Sequence, residues 1–250
     1  MTLKLCYGTW QFDKNFKKVS KLEAEELIRL SIDNGLNSFD TALVYGKGEV
    51  EKLLSNRIDQ NSFIITKIPA KTKPSLYEKE DIMHFYDIEW VDHCINSSLN
   101  NLQRKPDVFL LHNWSYHWNI DNEAISFINN LKEKGLCKKI GISLPNNYNE
   151  ILDDNFLKKI DFIEAPYNIE NRWIEKSISN IRKNGVYLAL RSLFIQGKLL
   201  DKVHDREEYV AEEIKKAYEL ADMVIIGMSK KEHVIENIKL FQEMNKNDKL

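Results

Sequence analysis

The chain has 250 residues, 43% of them hydrophobic, with 36 basic and 38 acidic side chains and a formal net charge of −2. Such a composition supports one sizeable core, so residues 1–250 are read as a single domain. The near balance of charge gives no field for gathering nucleic acid or an anionic membrane surface.

Three cysteines lie far apart in sequence: Cys6, Cys94 and Cys137. They argue against a disulfide framework and for a reducing compartment. No secretory pattern opens the chain and no run approaches membrane-spanning length, so the expected location is cytoplasmic. The histidines show no tight spacing with one another or with the cysteines, and no metal site is expected.

In chain order, a short apolar run repeatedly precedes a polar turn and a segment of helical period. The runs cover 3–10, 37–42, 63–68, 107–113, 137–144, 161–168, 186–193 and 223–229. Amphipathic stretches such as "EAEELIRLSIDNG", "DIEWVDHCINSSLNNLQ" and "YVAEEIKKAYELA" lie between them. Gly35, Gly135 and Gly185 stand where helices should stop. Eight strand-then-helix units predict parallel strands joined by right-handed crossovers, and in this length they predict a closed (β/α)8 TIM barrel, an α/β fold. A doubly wound open sheet is the second choice, weakened by the lack of a Gly-x-Gly-x-x-Gly or Walker pattern.

Barrel chemistry belongs to the C-terminal strand ends. Run two carries Asp40 there, run three Lys67, run four His112 and run five Ser143. Run six carries Glu164 and Asn168, and run seven Arg191 and Ser192. Long loops over 11–22, 69–87, 114–121 and 194–206 should cover the same face. Tyr45 follows Asp40 by five residues, beside a glycine turn. Together Asp40, Tyr45, Lys67 and His112 compose a proton-donating device. A phenol with a pKa of about 10 yields its proton poorly at neutral pH. A lysine beside Tyr45 should lower that value, with Asp40 keeping Lys67 charged and His112 bonding the same substrate oxygen. Such a device suits a carbonyl that receives a hydride at carbon.

The motifs "GTWQF", "FDTALVYGKGEVEKLL", "ITKI", "LLHNW", "KKIGIS", "PYN" and "IIGMSKKEHVIEN", in that order, resemble the aldo-keto reductase superfamily over nearly the whole chain. The resemblance implies a catalytic tetrad of Asp40, Tyr45, Lys67 and His112, with Tyr45 as general acid. It also implies a nicotinamide cofactor across the barrel top, NADP, with NAD as the alternative. The implied cofactor positions are Gly8, Thr9, Trp10, Asp40, Ser143, Glu164, Arg191, Ser192, Gly197, Gly227, Ser229, Lys230, Glu236 and Asn237. Several positions depart from the family pattern. Leu144 replaces an asparagine, Glu164 a glutamine, and Arg191 a ring-stacking tyrosine; His233 stands where an arginine reads the 2′-phosphate.

Runs six and seven should be barrel neighbours, so Glu164 and Arg191 are expected to pair. Trp10, Trp114, Tyr116 and Trp118 are expected to wall the substrate pocket. The expected activity is hydride transfer between NAD(P)H and a small, sugar-like or polar carbonyl. Two other functions fit the same residues. One is a Schiff-base lyase using Lys67; the other is a cofactor-binding regulatory barrel with slow turnover. No oligomeric state follows from the sequence.

Overall fold

The structure is a computed structural model and describes residues 4–13, 19–135, 137–202 and 204–247. Eight parallel strands close into a barrel in sequence order. They are β1 (Leu5–Gly8), β2 (Ser38–Asp40), β3 (Phe63–Ile68), β4 (Val108–Leu111), β5 (Lys139–Ser143), β6 (Phe162–Pro166), β7 (Tyr187–Arg191) and β8 (Met223–Gly227). Each lies inside one of the eight predicted runs. The helices are α1 (Lys21–Asp33), α2 (Glu49–Ser55), α3 (Ile88–Leu102), α4 (Asn122–Glu133), α5 (Asp154–Leu157), α6 (Ile178–Lys183), α7 (Arg206–Leu220) and α8 (Lys231–Asn247). The predicted (β/α)8 TIM barrel is therefore present. Within the predicted loop 11–22, residues 14–18 lie outside the described residues, as does residue 203 of the loop 194–206.

Local chemistry sets the helix ends. Ser20 accepts from the Glu23 amide while the Glu23 side chain accepts from the Ser20 amide, a reciprocal cap that starts α1. Asp87, Asp121 and Asp205 cap α3, α4 and α7 through their carboxylates. The β5-to-β6 crossover is the exception to the repeat. Its sequence, "PNNYNEILDD", breaks helical period, and only the single turn α5 forms.

The period of two along each strand decides what faces the barrel axis. Cys6, Ile65, Val108, Leu110, Phe162, Ala189, Met223 and Ile225 fill the interior. Alternate residues such as Ile64, Phe109, Leu111, Ile163 and Leu188 pack outward under the helices. Following the inward rows upward by two residues leads from Ile65 to Lys67, from Leu110 to His112, from Phe162 to Glu164 and from Ala189 to Arg191. The polar strand ends are thus the top layer of the same inward rows. In β5 the row passes through Gly141, where a Cβ would collide with the Phe162 carbonyl oxygen, so β5 and β6 meet closely just beneath Ser143.

At the opposite face, three aspartates clip strands in pairs. Asp107 precedes β4, and its carboxylate accepts from the Ile64 amide of β3 at 2.9 Å. Asp161 does the same for Ile140 of β5 at 3.0 Å, and Asp222 for Leu188 of β7 at 2.9 Å. In return, each aspartate amide donates to the carbonyl of the same residue. None of the described helices is long and apolar enough to cross a membrane.

Asp107 is 3% exposed and also pairs with Lys138 and Arg104. Asp107→Ala leaves the Ile64 amide without its acceptor, which should cost about 1–3 kcal/mol. A lowered midpoint with unchanged slope in urea denaturation is the expected result; an unchanged midpoint would remove the clip from the stability account.

Candidate active site

Asp40 ends β2 and Lys67 lies in β3, and both are buried. The Lys67 ammonium donates to Asp40 Oδ1 and to the Thr41 carbonyl at 3.1 Å. Its third neighbour lies across the barrel, with Glu164 Oε2 of β6 at 3.1 Å. A buried ammonium with two carboxylates has its charge compensated on both sides.

Tyr45 opens the turn Tyr45–Gly48. Gly46, Lys47 and Gly48 all have positive φ, at 58°, 57° and 89°. This left-handed stretch reverses the chain and returns the Tyr45 ring over β3. The Lys67 ammonium lies 5.8 Å from the ring centroid. His112, just past β4, meets the same ring edge-on with centroids 6.2 Å apart. Its amide is held by the Ile68 carbonyl at 2.9 Å. The four expected residues Asp40, Tyr45, Lys67 and His112 are therefore brought together.

Glu51 fixes the turn from behind. It is fully buried on α2 and accepts from Thr66 Oγ1 at 2.6 Å and Asn101 Nδ2 at 2.9 Å. It thereby ties α2 to β3 and α3, one residue from Lys67. The sequence held Glu51 only as a trailing acid in a motif. The available signal was its place among Val50, Leu53 and Leu54, the apolar residues of α2.

The electrostatics correct one expectation. Lys67 does pull the Tyr45 phenol down, but burial outweighs it and the pKa rises to about 12. Asp40 and Glu164 add to that rise, so the phenol is kept protonated. Burial opposes the Lys67 charge too, yet Asp40 and then Glu164 hold it above the ordinary lysine value. Burial, and next the Glu164 carboxylate, push Asp40 up to about 7 against the pull of Lys67. Burial also works against the Glu164 charge, but Lys67 and then Arg191 overcome it, and its pKa falls. Burial, followed by the Lys67 ammonium, pushes His112 down to about 3, which leaves the imidazole neutral.

The expected Glu164–Arg191 pair is present, with Arg191 Nε 2.8 Å from Glu164 Oε1. Arg191 also donates to the Leu144 carbonyl at 2.7 Å, to Asn146 Oδ1 at 2.6 Å and to Ser192 Oγ at 2.9 Å. Ser143 donates to Glu164 Oε1 at 3.0 Å. Three neighbouring strand ends are thus bound to one guanidinium and one carboxylate. Leu144 is fully buried and offers the site only its carbonyl.

On the other side of the mouth, Thr9 bonds through both its amide and its hydroxyl to the Asp40 carbonyl, each at 2.9 Å. That links Gly8 and Thr9 to β2. Gln11 and Tyr7 both donate to the Met228 carbonyl, at 3.0 and 2.5 Å, closing β1 onto β8. Gly227, Ser229, Lys230 and Glu236 are exposed around the start of α8, and Asn237 is half-buried there. His233 is exposed beside them, and Lys231 pairs with Glu26 of α1 at 2.6 Å. Gly197, with φ of 88°, closes a turn after β7 in which Ile195 and Gln196 also have positive φ.

The expected aromatic wall is mostly elsewhere. Trp114 and Trp118 are each 1% exposed and pack with Phe85, Tyr86 and Phe156 beneath the loop 69–87. Their indoles donate to Asn119 Oδ1 and to the Glu80 carbonyl. Tyr116 bonds Asn149 and stacks edge-on with Tyr148. The apolar area of two indoles is worth more inside this layer than at an open mouth. Trp10 alone of the four is half-buried near the strand ends.

Among the described residues, no group of three or more His, Cys, Asp or Glu is placed to hold a metal ion. A family model described as the aldo/keto reductase family matches residues 4–220. The aldo-keto reductase YhdN of Bacillus subtilis is 27% identical over 215 residues, 84% of this chain and 63% of that protein. The chain spans less than two thirds of the length of the curated relatives it matches. Among solved structures, the aldo-keto reductase AKR11C1 of Bacillus halodurans superposes with a TM-score of 0.72 at 19% identity, covering 95% of this chain and 86% of that one. An aldo-keto reductase of Klebsiella pneumoniae in complex with NADPH gives 0.69 at 17% identity, covering 96% and 85%. With this match over most of its length, the chain belongs to the aldo/keto reductase family.

Proposed function

We propose that this protein reduces a small polar, sugar-like carbonyl compound with NADPH, using Tyr45 as the proton donor. The observation that carries the reading is the buried Lys67 ammonium 5.8 Å from the Tyr45 ring, held by Asp40 on one side and Glu164 on the other. Related proteins solved with NADP and with NADPH support the choice of cofactor.

The residues present fit a dinucleotide. Ser143 spends its proton on Glu164, so its oxygen keeps lone pairs suited to accept an amide hydrogen of a nicotinamide carboxamide. Gly227 is exposed at the end of β8, and its missing Cβ makes room for Gln11 Oε1, which one would meet at 2.9 Å. The exposed Ser229 and Lys230 and the first turn of α8 supply hydrogen-bond donors and positive potential for phosphate. When bound, the nicotinamide supplies the hydride.

Tyr45 holds the proton that the new hydroxyl needs, since burial keeps its phenol protonated. Lys67 stabilises the phenolate left behind, and Asp40 keeps Lys67 in place. His112, neutral, donates one ring N–H to orient the substrate oxygen. The reverse oxidation uses the same groups with Tyr45 as base. With Trp114 and Trp118 drawn into packing, the groups facing the mouth are largely polar, which favours a small polar substrate. The lyase alternative needs a neutral amine, and two carboxylates hold Lys67 charged.

Tyr45→Phe should retain NADPH binding by fluorescence quenching but lose about 10²–10⁴-fold in turnover across a panel of aldehydes, ketones and aldoses. Unchanged turnover would rule out Tyr45 as the donor, and failure of the wild type to bind either nucleotide would end the reductase reading. His112 gives a second expectation. Its folded pKa lies below the ordinary value of about 6.5, so its contribution to stability is present above that value and is lost as pH falls toward about 3. Urea denaturation of His112→Gln should show a smaller loss of stability between about pH 6.5 and pH 4 than the wild type shows. An equal loss in both would mean that His112 takes up its proton without cost to the fold.

A further inference from the structure

The Lys67 site carries one more charged group than proton donation requires. Around the Lys67 ammonium and the Tyr45 phenol, each strand contributes one inward residue. These are the buried thiol of Cys6 (β1), Asp40 (β2), Lys67 itself (β3), His112 after β4, Ser143 (β5), Glu164 (β6) and Arg191 (β7), while β8 ends in Gly227 without a side chain. Cys6 is held neutral by burial, next to Asp40, and His112 is neutral as well. Above about pH 7, where Asp40 has lost its proton, the charges that remain are two carboxylates and two cations. They are in contact as a chain: Asp40 to Lys67, Lys67 to Glu164 at 3.1 Å, and Glu164 to Arg191 at 2.8 Å.

We infer that Glu164 is a positioning residue for proton transfer, drawing the Lys67 ammonium toward β6 and offsetting its field at the Tyr45 phenol, with Arg191 setting how strongly it does so. This rests on the reductase reading for its consequence in turnover, but not for the ionisation of Tyr45 itself. Removing the Glu164 charge leaves the site with one excess cation and favours phenolate. Removing the Arg191 charge leaves one excess carboxylate and opposes it. The two changes therefore act on Tyr45 with opposite signs, which a loss of packing or of cofactor contact alone cannot produce. Glu164 adds to the burial that holds Tyr45 in its acid form, and so moves alcohol oxidation to higher pH.

The test uses Glu164→Gln and Arg191→Gln, with two readouts. In the protein without nucleotide, tyrosinate absorbance is titrated for the parent and both variants, each against the same protein carrying Tyr45→Phe. Tyr45 should ionise about one pH unit lower in Glu164→Gln and at higher pH in Arg191→Gln. With saturating NADP⁺ and an alcohol substrate, the rising limb of kcat against pH should move the same two ways. That makes Glu164→Gln about tenfold faster than wild type on the limb. Coincident Tyr45 titrations in all three proteins, or shifts of the same sign in both variants, overturn the inference. If Glu164→Gln does not fold, the direction of the Arg191→Gln shift decides it. A protein that binds no nucleotide but shows the opposed Tyr45 shifts would sink the reductase reading and leave this one standing.

Discussion

The buried ammonium of Lys67 is the constraint on which the rest of the site depends. Taking a lysine head group out of water costs several kcal/mol unless opposite charge stands close to it. At 1% exposure Lys67 has no water to fall back on. It is held from both sides of the barrel, by Asp40 of the neighbouring strand and by Glu164 from three strands away. Only a closed barrel brings β3 and β6 within reach of one side chain. The same closure places the Tyr45 turn above the cation and His112 beside the ring.

The two faces of the barrel use carboxylates differently. At the N-terminal face, Asp107, Asp161 and Asp222 each accept a strand amide, and the reward is register and closure. At the C-terminal face, Asp40 and Glu164 accept from side-chain cations instead, and their charges remain coupled to a titrating phenol. This is the division expected of such a barrel, with stability at one end and chemistry at the other. Glu51 joins the two tasks. It is a structural acid by its partners, but what it fixes is the strand residue next to Lys67 and the helix behind the Tyr45 turn.

Much of this was legible in the sequence, because period and order are one-dimensional. The eight runs contain the eight strands, and in six of them, β2 to β7, the top of the inward row falls on a polar residue near the end of the run. The Glu164–Arg191 pair was legible too, since β6 and β7 are neighbours and their register sets Pro166 beside Arg191. The Glu164–Lys67 contact was not, because β3 and β6 do not pair and their approach depends on the barrel's width. The sign of the Tyr45 shift was hidden for a related reason. A nearby lysine can be guessed from spacing, but the burial that outweighs it cannot. Trp114 and Trp118 were misplaced because a long loop gives no period, and only packing against Phe85, Tyr86 and Phe156 decides where its indoles go.

Glu164 and Arg191, two of the departures from the family pattern noted in the sequence, make physical sense only together. A carboxylate in place of a glutamine at a position 1% exposed adds a negative charge where Asp40 already sits. Lys67 alone would then answer two acids, and a buried charge left short of its partner typically costs 3–5 kcal/mol. Arg191 removes that deficit through its Nε, and its other nitrogens are taken up by Leu144, Asn146 and Ser192. The converse holds as well. An arginine at the end of β7 without Glu164 would bring a second cation toward Lys67 with only Asp40, on the far side of Lys67, to offset the two. Each substitution raises the cost of the other's absence, so the pair behaves as one unit: it restores neutrality to the site while changing which strands carry its charge.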